Sequence, residues 1–114
     1  MGYFESYQQT LVKSFPELTE PGVTEVVDVS VSNYLSTRNY TLIVTVTNIN
    51  TSVVVRLDGS IDGVSYGPMI SNTIIENGTY PYNVTGFPVG FLRGNFFRET
   101  GGTSAIVKFS LAAN

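Results

Sequence analysis

Apolar and polar residues alternate with a period of two over most of this chain. In Tyr40 to Ile49, the side chains of Tyr40, Leu42, Val44 and Val46 fall on one face, and those of Thr41, Ile43, Thr45 and Thr47 on the other. Such alternation is the signature of a half-buried strand, and β-branched residues suit its pleated surface. In the same way Val53, Val55 and Leu57 share a face opposite Val54, Arg56 and Asp58. Asp58-Gly59-Ser60 and Asp62-Gly63 then supply turn chemistry, because glycine admits positive φ and aspartate bonds its own nearby backbone. Val23 to Tyr34 is predicted as a first strand with Val27, Val29 and Val31 inward. Val89 to Arg98 is predicted as a late one, with Leu92, Gly94 and Phe96 on one face and Arg93 and Asn95 on the other. Ala105, Val107, Phe109 and Leu111 mark the last.

Between these lie weaker segments. Tyr66, Met69 and Ile70 predict a short strand that Pro68 confines to a sheet edge, and Thr73 to Ile75 another. Thr79 to Val84 continues the pattern, again at an edge because of Pro81. Asn77-Gly78 is a strong hairpin signal, and Thr100-Gly101-Gly102-Thr103 reads as a hairpin loop. Seven to eight short strands separated by turns predict an all-β chain folded as an antiparallel, jelly-roll-like β-sandwich. A closed barrel is the alternative.

Residues 1–21 do not alternate. The spacing of Phe4, Tyr7 and Leu11 suits one helical face, which Pro16 would end near Ser14 or Phe15. Glu17 to Gly22 reads as a linker. The expected division is therefore an N-terminal arm or short helix over 1–21 and a sandwich domain over 22–114. Tyr3, Phe4, Tyr7, Leu11 and Phe15 become candidate interface residues, because large apolar side chains left in water mark contact sites. On that reading, a chain beginning at Val23 stays folded and loses only its assembly.

Length and composition narrow the class. The chain has 114 residues, enough for one domain with a real core. It is 42% hydrophobic but only 13% charged, about half the usual charged share of ~25%. Ser, Thr, Asn and Gly must carry solubility, and so sparse a charge suits a surface packed against neighbours. The net charge is −3, and the six Lys and Arg are scattered singly, which argues against nucleic acid. No apolar run is long enough for a transmembrane helix. The start, MGYFESYQQT, lacks the basic region and apolar core of a secretory signal, and its Met1-Gly2 is too weak a motif for myristoylation.

The chain has no Cys and no His. That excludes a disulfide framework, thiolate metal sites, the Ser-His-Asp and Cys-His triads and the usual zinc site. Asp58-Gly59-Ser60-Ile61-Asp62-Gly63 matches the first half of an EF-hand calcium loop, but Met69 stands where the closing Glu is required. A hairpin turn without metal is the expectation, and no cofactor is expected. Asp58 and Asp62 in one turn do not make a glycosidase pair without a cleft. Tyr66, Tyr80 and Tyr82 form either a stacking strip for sugar or, more simply, interface residues at a sheet edge. Asn39, Asn50, Asn77 and Asn83 each open an N-x-S/T triplet, which chance explains in a chain so rich in Ser and Thr. Arg56 and Arg93 are expected to pair with Asp28, Asp58 or Glu99 across the sheet.

VRLDGSIDGVSY, then FPVGFLRGNFF followed by ETGGTSAIVKFSL, resembles small β-sandwich proteins of tailed-phage virions and of some bacterial surface fibres. The resemblance covers about residues 23–112. It departs from that pattern at Gly94, where a β-branched residue is usual. What it implies is a non-enzymatic structural role, such as a capsid decoration or cement protein, a homo-oligomer or a partner of capsid protein. The expected place is then the virion, assembled in the host cytoplasm, with no membrane partner. A surface-fibre subunit and a glycan-binding module are the alternatives.

Overall fold

The computed structural model describes residues 11–29, 39–86 and 89–113. These form nine strands: β1 (Leu11–Ser14), β2 (Gly22–Val23), β3 (Val27–Asp28), β4 (Asn39–Thr47), β5 (Ser52–Ser60), β6 (Gly67–Ile74), β7 (Gly78–Thr85), β8 (Phe91–Thr100) and β9 (Ile106–Ala113). All pairings are antiparallel. The first sheet runs β1-β9-β4-β7 and the second β2-β8-β5-β6, with β3 also on β8. β2 and β3 are two pieces of one strand. Between them the Thr24 amide still donates to the Gly94 carbonyl, and the Thr24 hydroxyl accepts from the Gly94 amide, both at 2.9 Å.

This order is that of a long hairpin rolled up on itself. β5 pairs with β6, β4 with β7, β2/β3 with β8 and β1 with β9, and successive pairs alternate between the sheets. The result is a jelly-roll arrangement of two stacked sheets. The predicted sandwich is therefore present.

Alternation chose the core correctly. Tyr40, Leu42, Val44 and Val46 are buried, as are Val53, Val55, Leu57, Leu92, Phe96, Ala105, Val107, Phe109 and Leu111. Val27 and Val29 are buried as well, although the first predicted strand is broken at residues 24–26 and runs beyond the described residues after Val29. Pro81 and Pro68 do lie on edge strands, β7 and β6. The two short strands predicted around Met69 and Thr73 are one, β6, with a bulge opposite Leu57 and Asp58.

Three local expectations fail. Asp58-Gly59-Ser60 is not a turn, because β5 runs through Ser60 and the turn starts at Ile61. Asn77-Gly78 and Thr100 to Thr103 are not hairpins. β6 and β8 belong to one sheet, and β7 and β9 to the other, so these segments carry the chain across the sandwich. Side chains lace that end together: the Ile49 amide donates to Asn77 Oδ1 at 2.9 Å, and Asn50 Nδ2 to Ser104 Oγ at 2.8 Å.

The arm is corrected too. Leu11–Ser14 is strand, not helix, and pairs with β9 from Leu11↔Ala113 to Ser14↔Ser110. Phe15 is only 2% exposed, and its amide donates to the Phe109 carbonyl at 3.1 Å. Leu18 bridges Val107. An aromatic ring and an edge strand gain more from the open side of the sandwich than from solvent, so the domain begins at or before Leu11 and not at residue 22. Tyr3, Phe4 and Tyr7 lie outside the described residues.

Candidate interaction surfaces

The outer face of the first sheet is built by every second residue of four strands. Across the strands, one row reads Val12, Ala112, Thr41, Asn83 and the next Ser14, Ser110, Ile43, Pro81; a third holds Lys108, Thr45 and Thr79. Lys108 is the only charged side chain in these rows. Ile43, at the centre, is 40% exposed and Val12 is 70% exposed. The threonine hydroxyls of these rows are already partnered within the face. Thr41 Oγ1 donates to Asn83 Oδ1 at 2.8 Å, and Thr45 Oγ1 shares a hydrogen with Thr79 Oγ1 at 3.2 Å. Burying a polar group is costly chiefly when it loses its hydrogen bonds. A face whose polar groups bond each other, and which carries one charge, is cheap to desolvate.

The outer face of the second sheet differs. Asp58 on β5 lies opposite Arg93 on β8, and Arg56 opposite Asn95. Arg93 Nε donates to Asp58 Oδ2 at 3.3 Å and Asn95 Nδ2 to the same oxygen at 3.1 Å. This is one of the ion pairs expected from the sequence. The Asp58 side chain is 5% exposed and that of Arg93 27%. Two guanidiniums lie on rings: Arg56 is 3.5 Å from the centroid of Phe97, and Arg93 is 4.1 Å from that of Tyr66. Cation–π contact of this kind favours arginine over an apolar sheet surface. Asp58 Oδ1, Arg56 Nε and the Tyr66 hydroxyl are buried without a partner, a polar group of the sort that internal water commonly satisfies.

The loop that joins β5 to β6 is tied by Asp62. Its Oδ1 accepts from the amides of Val64 (2.8 Å) and Ser65 (2.9 Å) and from Ser60 Oγ (3.0 Å). The Gly63 amide donates to Ser60 Oγ, and Gly63 has φ 80°, a conformation glycine adopts without strain. Those backbone donors hold the Asp62 carboxyl below its ordinary value. Ile61 and Val64 project from this loop, 82% and 81% exposed. Asp58 faces the arginines instead, so the half-matched calcium motif is split between a strand and a turn. Among the described residues no three His, Cys, Asp or Glu come together.

The tyrosines do not form one strip. Tyr80 and Tyr82 share the inward side of β7 with buried Val84 and pack against the core. The Tyr80 hydroxyl donates to the Glu76 carbonyl at 2.6 Å. Burial raises the Tyr82 phenol above its ordinary 10.0, and Tyr80 adds to the shift. Tyr66 stands just before β6 of the other sheet and lies under Arg93. Leu11 is half-buried and Phe15 buried, which takes Phe15 out of any interface with a neighbour. Val12, Ile43, Ile61, Val64 and Ile75 are among the exposed apolar residues that sequence reasoning passed over. Ile43 was visible in it, as the one large apolar residue on the threonine face of its strand.

No protein-family model, curated protein or solved structure matches this chain.

Proposed function

We propose that this chain is a non-enzymatic structural subunit that acts by packing against neighbours, as a capsid decoration or cement protein of a phage virion does. The observation that carries this reading is the outer face of the first sheet. It is almost uncharged, and its threonines are hydrogen-bonded within the face around Ile43. Strands of 4, 8, 9 and 8 residues, at ~4.8 Å spacing and ~3.3 Å rise, give about 460 Å² per copy. Two such faces bury about 920 Å², the size of a weak interface that gains strength by repetition across an assembly. Depletion of charge at the centre of the patch is the compositional mark of an interface. The resemblance of VRLDGSIDGVSY and FLRGNFF to virion and surface-fibre sandwich proteins points the same way, with a surface-fibre subunit as the alternative.

The test is Ile43→Lys together with Thr45→Lys. Both side chains point outward, so the fold and its sheet-like circular dichroism spectrum are retained. On this reading the purified full chain forms oligomers or particle contacts that the double variant loses. A full chain that is monomeric and binds no particle removes the reading.

A further inference from the structure

We propose that Asn77-Gly78 is a self-modifying site. The Gly78 main-chain nitrogen attacks the Asn77 side chain, which loses its amide as ammonia, and one of the two products unlatches the turn between β4 and β5. This is independent of the assembly reading. Asn-Gly occurs once in the chain, and both residues are exposed where the chain enters β7.

The fold readies the electrophile. The Ile49 amide donates to Asn77 Oδ1 at 2.9 Å. That oxygen takes the negative charge when Cγ is attacked, and a donor already aimed at a developing oxyanion stabilises it. Gly78 has no side chain to crowd the approach of its own nitrogen. The Tyr80 hydroxyl, bonded to the Glu76 carbonyl at 2.6 Å, pins the residue before the pair. No other site combines these features. Asn83 Oδ1 also accepts a hydrogen bond, from Thr41 Oγ1, but the branched and buried Val84 follows it. Asn72 is followed by Thr73, which is branched as well. Asp58-Gly59 and Asp62-Gly63 have the glycine without the amide. An ionised carboxylate resists attack, and the Val64 and Ser65 amides keep Asp62 ionised.

The reaction needs only water. Hydroxide takes the Gly78 amide proton, and the nitrogen bonds to Asn77 Cγ. The Cγ–Nδ2 bond then breaks, and ammonia leaves with a proton from water. Nothing is oxidised or reduced. Water opens the resulting five-membered succinimide at either carbonyl. Addition at Cγ leaves aspartate, with the main chain as before. Addition at the main-chain carbonyl leaves isoaspartate, with the main chain running through Cγ. Either product adds one negative charge to a chain of net charge −3. They differ at Ile49. An aspartate carboxylate still accepts from the Ile49 amide. In isoaspartate the main chain is one carbon longer and Oδ1 belongs to it, so this acceptor and β7 cannot both keep their places. Ile49 packs against the core, so losing that bond frees residues 48–51 at their anchor.

The experiment incubates the folded full chain at mildly alkaline pH and follows each asparagine by peptide mass and isoaspartate content. Asn77 is expected to convert at least about tenfold faster than Asn72 or Asn83, giving both products. Exchange of the Ile49 amide hydrogen is expected to stay slow in Asn77→Asp, which carries the same charge, and to speed up in the separated isoaspartyl fraction. Asn77 left intact in the folded chain, while the chain held in urea converts, overturns the proposal. Conversion of Asn72 or Asn83 at the rate of Asn77 overturns it too. An isoaspartyl fraction whose Ile49 amide exchanges as slowly as in the unmodified chain overturns the unlatching.

Discussion

Gly94 lies beneath the ring of Phe109. A Cβ at Gly94 would stand 2.7 Å from Phe109 Cγ, closer than carbon atoms approach. That contact is the physical reason for the departure from a β-branched residue at this position: the opposite sheet needs the space. Gly94→Ala is expected to cost about 1–3 kcal/mol through overpacking, and Phe109→Ala about 3–5 kcal/mol through the cavity it leaves. The two are in contact, so the double variant should cost less than their sum. Additive costs in urea unfolding would mean that Gly94 does not sit under that ring. Thr45→Ala, outward on β4, should stay within about 0.5 kcal/mol. At Asp62 the prediction concerns pH. Its folded pKa is lowered from 3.8, so what its ionised carboxylate contributes is present above the unfolded value and lost as pH falls through the folded one. The amide resonances of Val64 and Ser65 should titrate with a midpoint below 3.8; a midpoint at or above it contradicts the loop geometry. Asp62 was legible in the sequence as turn chemistry. Asp58 was legible as a partner for Arg93 but misplaced: its Asp-Gly pair reads as a turn, whereas it lies on β5 with Arg93 and Asn95, 35 and 37 residues away, on its carboxylate.

Among elements, the strands that alternate cleanly were legible, because period two is a property of the chain alone. β4, β8 and β9 keep their inward sets as read. What local pattern does not hold is which sheet a strand joins. Asn77-Gly78 and Gly101-Gly102 have the chemistry of tight turns, yet they join strands in opposite sheets, since the rolled hairpin needs a reversal and a crossing at the same point. β1 was missed for a related reason. Four residues are too few to display a period, and Pro16 after Phe15 imitates a helix stop. The structure makes β1 and Phe15 part of the fold, so a chain beginning at Val23 should unfold or melt much lower, contrary to an independent arm. Phe15→Ala alone should cost about 3–5 kcal/mol. A Val23 chain as stable as the full one would restore the arm. Between β5 and β8, Asp58→Ala strands Arg93 and Asn95 without their shared acceptor. With Arg93 partly exposed, a cost of about 1–3 kcal/mol in urea unfolding is expected.

At the scale of the whole molecule, the two outer faces divide the surface chemistry. One sheet presents threonine, serine and isoleucine, and the other an arginine and aromatic rank anchored on Asp58. The first was half legible: the alternation named its residues, and the low charge implied a covered surface. The second was not, because no local pattern aligns Arg56, Arg93 and Arg98 before the strands are paired. The central claim is that this sandwich works by packing on copies of itself or on a particle. Sedimentation of the full chain over a range of concentrations tests the self-packing directly, against a chain mass of 12.4 kDa. The account predicts species at multiples of that mass, which Ile43→Lys with Thr45→Lys reduces. A single 12.4 kDa species at every concentration, unchanged by those substitutions, would contradict it.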